Sequence, residues 1–264
     1  MEVREKKCKT IMSKSGLHDS DFSINPYTGC EHACIYCYAP FVIREKRPWG
    51  TFVDVKTNAA DVLSKELLKN KKGNILISSV TDPYQSSEKT YKITRAILEK
   101  LNNNFFISIL TKSDLVLRDL DLFKKLNCEV GLTITTLNEN IAKIFEPNSS
   151  LPEERLEVLR YIKVSGIKTY IFFGPLLPFI SDIDLERTIS RFAMTKPDKV
   201  YVDKLNIKSK NHWNKIKSVV QANFPDMVDK WEQILFSEND YYEKLKQTIV
   251  ELLQKYDLKY ELCY

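Results

Sequence analysis

The chain has 264 residues, of which 43% are apolar and 28% charged, values that exclude a disordered polymer and suffice for a packed core. Its net charge of +5, from 40 basic against 35 acidic side chains, permits a nucleic-acid partner without arguing for one. The best apolar stretch, Tyr170 to Ile180, is broken by Pro175 and Pro178, and the opening MEVREKKCKT holds no apolar signal segment, so a cytoplasmic chain with no membrane partner is expected.

Short β-rich runs alternate with helical patterns along the chain. Phe22–Tyr27 reads as the first strand and leads into a cluster of cysteines. A helix is expected from Asn58, with Ala59, Val62, Leu63, Leu67 and Leu68 on one face and a stop near Gly73. Asn74–Val80 reads as a second strand, followed by a helix that Ser87 caps and that carries Ile93, Ala96, Ile97 and Leu101. Phe105–Thr111 and Cys128–Thr135 read as the next two strands. Pro152 with Glu153, Glu154 and Arg155 opens a helix that Gly166 ends. Ile167–Phe173 and Lys199–Asp203 complete six strands, all rich in the residues of buried parallel sheets. After about Asn206 the pattern turns helical, from His212 to Tyr256, with a short strand at the end.

Six strand–helix units predict an α/β fold, a partial (β/α)6 barrel that falls short of the closed eight-stranded form. One domain over residues 1–264 is expected, with its core at about 22–206 and a mostly helical extension at about 207–264. A doubly wound open sheet is the alternative, but the glycine-rich dinucleotide fingerprint is missing.

Of the six cysteines, at 8, 30, 34, 37, 128 and 263, three stand within eight residues as Cys30-Glu31-His32-Ala33-Cys34-Ile35-Tyr36-Cys37. Three thiolates in one tight loop suit an iron–sulfur cluster or zinc. A structural zinc site wants a fourth ligand, and the only local one, His32, is awkwardly placed between two of the cysteines. Three thiolates on a four-iron cluster leave one iron open to a substrate or cofactor. A non-catalytic zinc or iron–sulfur module that binds nucleic acid is the second reading of the same residues.

The C-x3-C-x2-C loop after the first strand, with an aromatic before its last cysteine, resembles the radical S-adenosylmethionine (SAM) superfamily. Ile24-Asn25-Pro26-Tyr27, Cys37-Tyr38-Ala39, Ser79-Val80-Thr81-Asp82-Pro83-Tyr84-Gln85, Thr111-Lys112-Ser113 and Phe145-Glu146-Pro147-Asn148 are similar to the spore photoproduct lyase branch, over about residues 22–206. The resemblance implies a four-iron four-sulfur cluster on Cys30, Cys34 and Cys37. It implies SAM bound at the strand-end rim and cleaved reductively to a 5′-deoxyadenosyl radical, with the hard chemistry belonging to the cofactor. Ser79, Lys112 and Thr133 match SAM-contacting residues of that family. Tyr36 would approach the adenine, and Gly174 would admit backbone close to it. Tyr36 and Tyr38 match two tyrosines that pass the radical back, and Glu146 and Arg155 match a Glu and an Arg beside the rim.

One position departs from the family. Where spore photoproduct lyase carries a hydrogen-donating cysteine after its serine, this chain has Val80, so repair of the spore-type thymine dimer by that route is not expected. Cys128 and Cys263 are expected to be buried small hydrophobes away from the rim. The loop Asp82–Gln85 is expected to face the substrate. Arg44, Lys46 and Arg47 beside Trp49 form the one basic, aromatic loop suited to grip a nucleic acid near the rim. The expected partner is an electron donor such as a flavodoxin or ferredoxin; the substrate stays open, with nucleic acid as one class.

Overall fold

A computed structural model of the chain describes residues 1–17, 19–68 and 71–264. Its strands in chain order are β1 (Glu2–Lys6), β2 (Met12–Lys14), β3 (Phe22–Ile24), β4 (Tyr27–Thr28), β5 (Phe52–Lys56), β6 (Gly73–Ile77), β7 (Phe105–Thr111), β8 (Cys128–Ile134), β9 (Lys168–Leu176), β10 (Lys199–Lys204) and β11 (Tyr260–Leu262). The main sheet runs β2-β3-β6-β7-β8-β9-β10-β11, and every pairing from β3 to β11 is parallel. Only β2 is antiparallel, on the outer edge of β3. All six expected strands are therefore neighbours in one parallel sheet. Their C-terminal ends share one rim, the usual place for loops that carry chemistry.

Burial follows position in the sheet. In β7 the buried residues alternate strictly, whereas the central β8 is buried at six of seven positions. Helices Pro152–Val164 and Leu185–Thr195 cover this sheet with Leu156, Leu159, Ile162, Ile189 and Phe192.

Three local expectations need correction. The run Phe22–Tyr27 is two strands in two sheets, because the chain turns at Asn25-Pro26 and Tyr27–Thr28 pairs with β5 in a small sheet of order β1-β5-β4. Proline at that point removes the ladder donor a continuous strand would need. Ser87 stands at the N-cap position, but its side chain makes no capping bond and its N–H donates to Glu31 Oε2 at 2.5 Å. The expected helix there is two, Glu88–Tyr91 and Ile93–Leu98, broken at a left-handed Lys92. The buried Glu88 carboxylate accepts the Thr94 and Arg95 N–H groups, at 2.9 and 3.3 Å, and so starts the second helix.

The C-terminal segment forms helices Lys210–Asn223, Val228–Phe236 and Tyr241–Lys255 before β11 returns to pair with β10. It builds a second apolar cluster in which Trp213, Ile216, Val220, Val228 and Trp231 pack with Cys34, Tyr36 and Phe145. The rings of Phe145, Trp231 and Trp213 stack in series, 6.2 and 6.3 Å between centroids. The helical extension is thus the back wall of the cysteine loop. No helix among the described residues is long and apolar enough to cross a membrane.

Candidate functional site

The loop from Gly29 to Tyr38 has almost no regular structure of its own, and distant segments hold it in shape. Glu31 N–H donates to Gln85 Oε1 at 2.8 Å, Asn148 Nδ2 to Glu31 O at 2.7 Å, and Ile35 N–H to Phe145 O at 2.9 Å. Thr81 Oγ1 donates to Gly29 O at 2.6 Å. Cys30 and Cys34 are buried and Cys37 is partly so.

Burial pushes all three thiols up. Cys30 is raised further by Asp82 and by the other two cysteines. Cys34 reaches about 12 although Lys112 opposes the rise. At Cys37, the Ala39 N–H, Lys112, Lys215 and Trp49 all oppose it. The three sulfurs are thus electrostatic neighbours in a pocket supplied with cations. Bound iron would invert this balance, since a coordinating thiol is deprotonated outright. The donor set fits an iron–sulfur cluster: soft ligands, buried, with countercharge at hand. A closed zinc site would need a fourth protein ligand beside the three cysteines. The local candidate for a fourth ligand, His32, has its Nδ1 3.3 Å from Asp82 Oδ2, which leaves Nε2 as the one ring nitrogen that could meet a metal.

Asp82 overturns the expectation of a substrate-facing loop. It is buried, as are Pro83, Tyr84 and Gln85. Its carboxylate accepts from Thr111 Oγ1 at 2.7 Å, Lys112 N–H at 3.0 Å and Tyr84 N–H at 2.9 Å. Burial alone would raise this carboxyl; the charge and hydrogen bond of His32, with Thr111 and the Tyr84 N–H, hold it at about 2 instead. Asp82 therefore bolts the cysteine loop to the end of β7.

A second buried frame joins the loop to β8. The Tyr36 hydroxyl donates to Glu146 Oε1, which also accepts from Thr135 Oγ1 at 3.0 Å. Arg155 meets Glu146 Oε2 at 2.5 Å and donates to Thr133 O at 2.9 Å and Ser150 O at 2.7 Å. Glu146 and Arg155 are 2% and 1% exposed, so this pair is no surface salt bridge. The Tyr36 carbonyl faces His212 Nε2 at 3.0 Å. Lys208 N–H donates to His212 Nδ1, so the ring hydrogen sits on Nε2. The Tyr36 carbonyl is thereby occupied.

The remaining expected residues gather at the rim with differing freedom. Ser79 is held by Asn25, whose Oδ1 accepts the Ser79 and Val80 N–H groups, each at 3.0 Å, and whose Nδ2 donates to Ser79 Oγ at 3.2 Å. Asn25 stood in a quoted motif without a role, and the turn at Pro26 was the signal for it. Tyr38 is 41% exposed and donates to Ser79 O at 2.6 Å, so the two tyrosines part company, one inside and one on the rim. Lys112 is half-buried, its ammonium 5.7 Å over the Tyr36 ring, with no carboxylate in ion-pairing reach among the described residues. Burial would lower its pKa, yet Cys34 and Glu146 raise it, so it is a charged, uncommitted cation. Thr133 is buried on β8. The missing Cβ of Gly174 makes room for Asp203 O and the Phe172 ring, each 2.9 Å from where it would stand, so the close approach it permits is to β10.

The other thiols and the basic loop also differ from expectation. Cys128 is buried at the start of β8, far from the rim, as expected. Cys263 is exposed and follows β11, its N–H donating to Val202 O at 2.9 Å. Because β11 runs parallel to β10, this thiol stands at the rim end of the sheet. Arg47 is engaged within the chain: it pairs with Glu45 and Asp54 and stacks 3.6 Å over Phe52.

Comparison with known proteins agrees with this geometry. Residues 24–192 match the model of the radical SAM superfamily. An uncharacterised protein of Methanocaldococcus jannaschii is 36% identical over 98% of this chain and 95% of its own length. An uncharacterised protein of Acidianus two-tailed virus is 31% identical over 92% and 82%. Among solved structures, spore photoproduct lyase complexed with dinucleoside spore photoproduct superposes with a TM-score of 0.76, at 14% identity, over 99% of this chain and 82% of that one. SuiB of Streptococcus suis bound to S-adenosylmethionine superposes with a TM-score of 0.55, at 13% identity, over 91% and 46%. At such identities the structural likeness speaks for the fold, while the family match and the archaeal relative speak for descent: the chain belongs to the radical SAM superfamily.

Proposed function

We propose that this chain is a radical SAM enzyme in which Cys30, Cys34 and Cys37 hold a four-iron cluster and the rim above them holds SAM. The observation that carries the reading is Lys112, a charged and uncommitted ammonium beside Cys34 at the end of β7, placed to take the carboxylate of an amino acid. When bound, the cluster and SAM supply a 5′-deoxyadenosyl radical that abstracts hydrogen from an organic substrate. The protein's part is positional. Asp82 and Glu146 fix the loop, Asn25 presents Ser79 at the rim, and Tyr38 stands beside Ser79 with its ring partly open to the substrate side.

Anaerobically reconstituted protein should be brown, bind about four irons, and cleave SAM when reduced by dithionite. Cys34→Ala should lose the iron; full retention would overturn the cluster assignment, and stoichiometric zinc in colourless protein would favour a metal-binding module instead.

The spore-type thymine dimer is not the substrate in this reading. Val80 shares the Asn25 anchor with Ser79, and its side chain offers only strong C–H bonds where a product radical needs a weak X–H bond. The test compares wild type, Val80→Cys and Cys263→Ser with the dinucleotide lesion, because Cys263 is the other rim thiol among the described residues. Wild type should yield 5′-deoxyadenosine without repair, and Val80→Cys should gain repair. Clean repair by wild type would make lesion repair the function, and its loss in Cys263→Ser would name the donor.

A further inference from the structure

Trp49 was the aromatic of the supposed nucleic-acid loop, and its indole points elsewhere. The Nε1 atom is buried and has no hydrogen-bond partner. The ring stands edge-on to Phe52, 6.0 Å between centroids, and Phe52 is clamped in turn by Arg47. The next residue, Gly50, has φ +92°, and a Cβ there would come within 2.5 Å of Ala33 Cβ, between Cys30 and Cys34. The Trp49-Gly50 turn is therefore pressed onto the cysteine loop, in a contact that only glycine allows. The indole N–H lies close to the Cys37 thiol.

Lys215 reaches the same loop from helix Lys210–Asn223. Its ammonium meets Cys34 O at 3.4 Å and has no carboxylate in ion-pairing reach among the described residues. The ammonium is partly buried, with the Cys37 and Cys34 thiols as its neighbours. A buried donor without an acceptor and a half-buried cation without a carboxylate both make sense if the missing partner is an anionic sulfur cluster.

We propose that Trp49 Nε1–H donates a hydrogen bond to the Cys37 sulfur once that sulfur is a cluster ligand, and that Trp49 and Lys215 together raise the cluster's reduction potential. The inference rests on the cluster assignment above. Its physical basis is that reduction adds one negative charge, so a donor and a cation beside the ligand sulfurs stabilise the reduced form more than the oxidised one. Both are positioning residues; neither touches SAM or substrate in this proposal.

The test is a dithionite-poised redox titration of the reconstituted protein, followed by electron paramagnetic resonance. Trp49→Phe removes the N–H but shrinks the ring, so a second variant carries benzothienylalanine at position 49, which keeps the indole shape and loses only the N–H. Lys217→Met, which breaks a surface pair with Glu232, is the control. With iron content unchanged, the reduced-to-oxidised ratio at a fixed potential should fall about tenfold in the benzothienylalanine protein, equivalent to about 59 mV for a one-electron couple. It should fall in the same direction in Lys215→Met and stay put in Lys217→Met. A fully loaded benzothienylalanine protein titrating with wild type would overturn the proposal. Wild type that takes up no four-iron cluster would instead overturn the cluster assignment, so the two failures are distinguishable.

Discussion

The two sides of the cysteine loop are built on opposite principles. Toward the strand rim the contacts are ionic and fully paired: His32 with Asp82, and Tyr36 with Glu146 and Arg155. Toward the C-terminal helices they are mainly aromatic, with Phe145, Trp231 and Trp213 in series behind Cys34 and Tyr36, and polar only where His212 and Lys215 meet two loop carbonyls. Directional bonds fix where each loop atom sits, whereas stacked rings exclude water without prescribing an orientation. The rim side therefore sets geometry and the helical side sets the dielectric around the sulfurs. Lys112 stands at the boundary, with its charge uncommitted.

The sharpest way to break this contrast is to cut each side once. Arg155→Met leaves the Glu146 carboxylate buried without its partner and should cost about 3–5 kcal/mol in urea unfolding. Trp231→Ala, at a site with no exposure, should cost a similar amount, about 3–5 kcal/mol, through the cavity it leaves. The two should differ in character. The Arg155 variant should lose the fixed Tyr36 ring, read from its aromatic proton signals. The Trp231 variant should keep that ring ordered but admit water, read as faster bleaching of the brown colour in air. Equal disorder of Tyr36 in both would erase the distinction.

A smaller effect tests the boundary residue. Lys112→Ala should weaken SAM binding by about 1.5–3 kcal/mol, the range for a hydrogen bond to a charged group, with the cluster intact. Unchanged affinity in calorimetry would remove Lys112 from the site.

The smallest effect is a pH dependence confined to the rim side. The Asp82 carboxyl sits at about 2 in the folded chain, below its unfolded value near 3.9. Its stabilising contribution is therefore complete above about pH 4 and is lost as the pH falls toward 2. Wild type should lose roughly 2 kcal/mol of stability through that window. Asp82→Asn, less stable throughout, should show a shallower acid slope. An identical slope would assign the acid loss to other carboxylates.

What the sequence disclosed and what it withheld divide along the same line. The cysteine spacing and the β-rich runs are local patterns, and the six strands stand in the sheet in the expected order because each run's composition suffices to mark it. The Asp82–His32 pair joins residues fifty apart, and Tyr36 meets Glu146 across 110 positions. No local pattern encodes such pairings, which is why the loop of Asp82 was expected to face the substrate and is instead buried. Pro26 was a legible signal that the first strand breaks. The left-handed Lys92 had no signal at all; Glu88 capping from behind explains it only once the fold is known. Cys263 was misjudged because its place depends on the direction of β11, which composition does not specify.

The reach of the loop's contacts also orders events in time. Tyr36 and Cys34 are held by His212 and Lys215, 176 and 181 residues later. During synthesis at about 5–20 residues per second, roughly 10–35 s separate the emergence of the cysteines from that of the helix that covers them. Through that interval the three thiols lie on a nascent chain whose loop has no back wall, open to iron donors and to oxidants alike. A cluster loaded on this loop would therefore gain its cover only when the helix that carries His212 and Lys215 has been made.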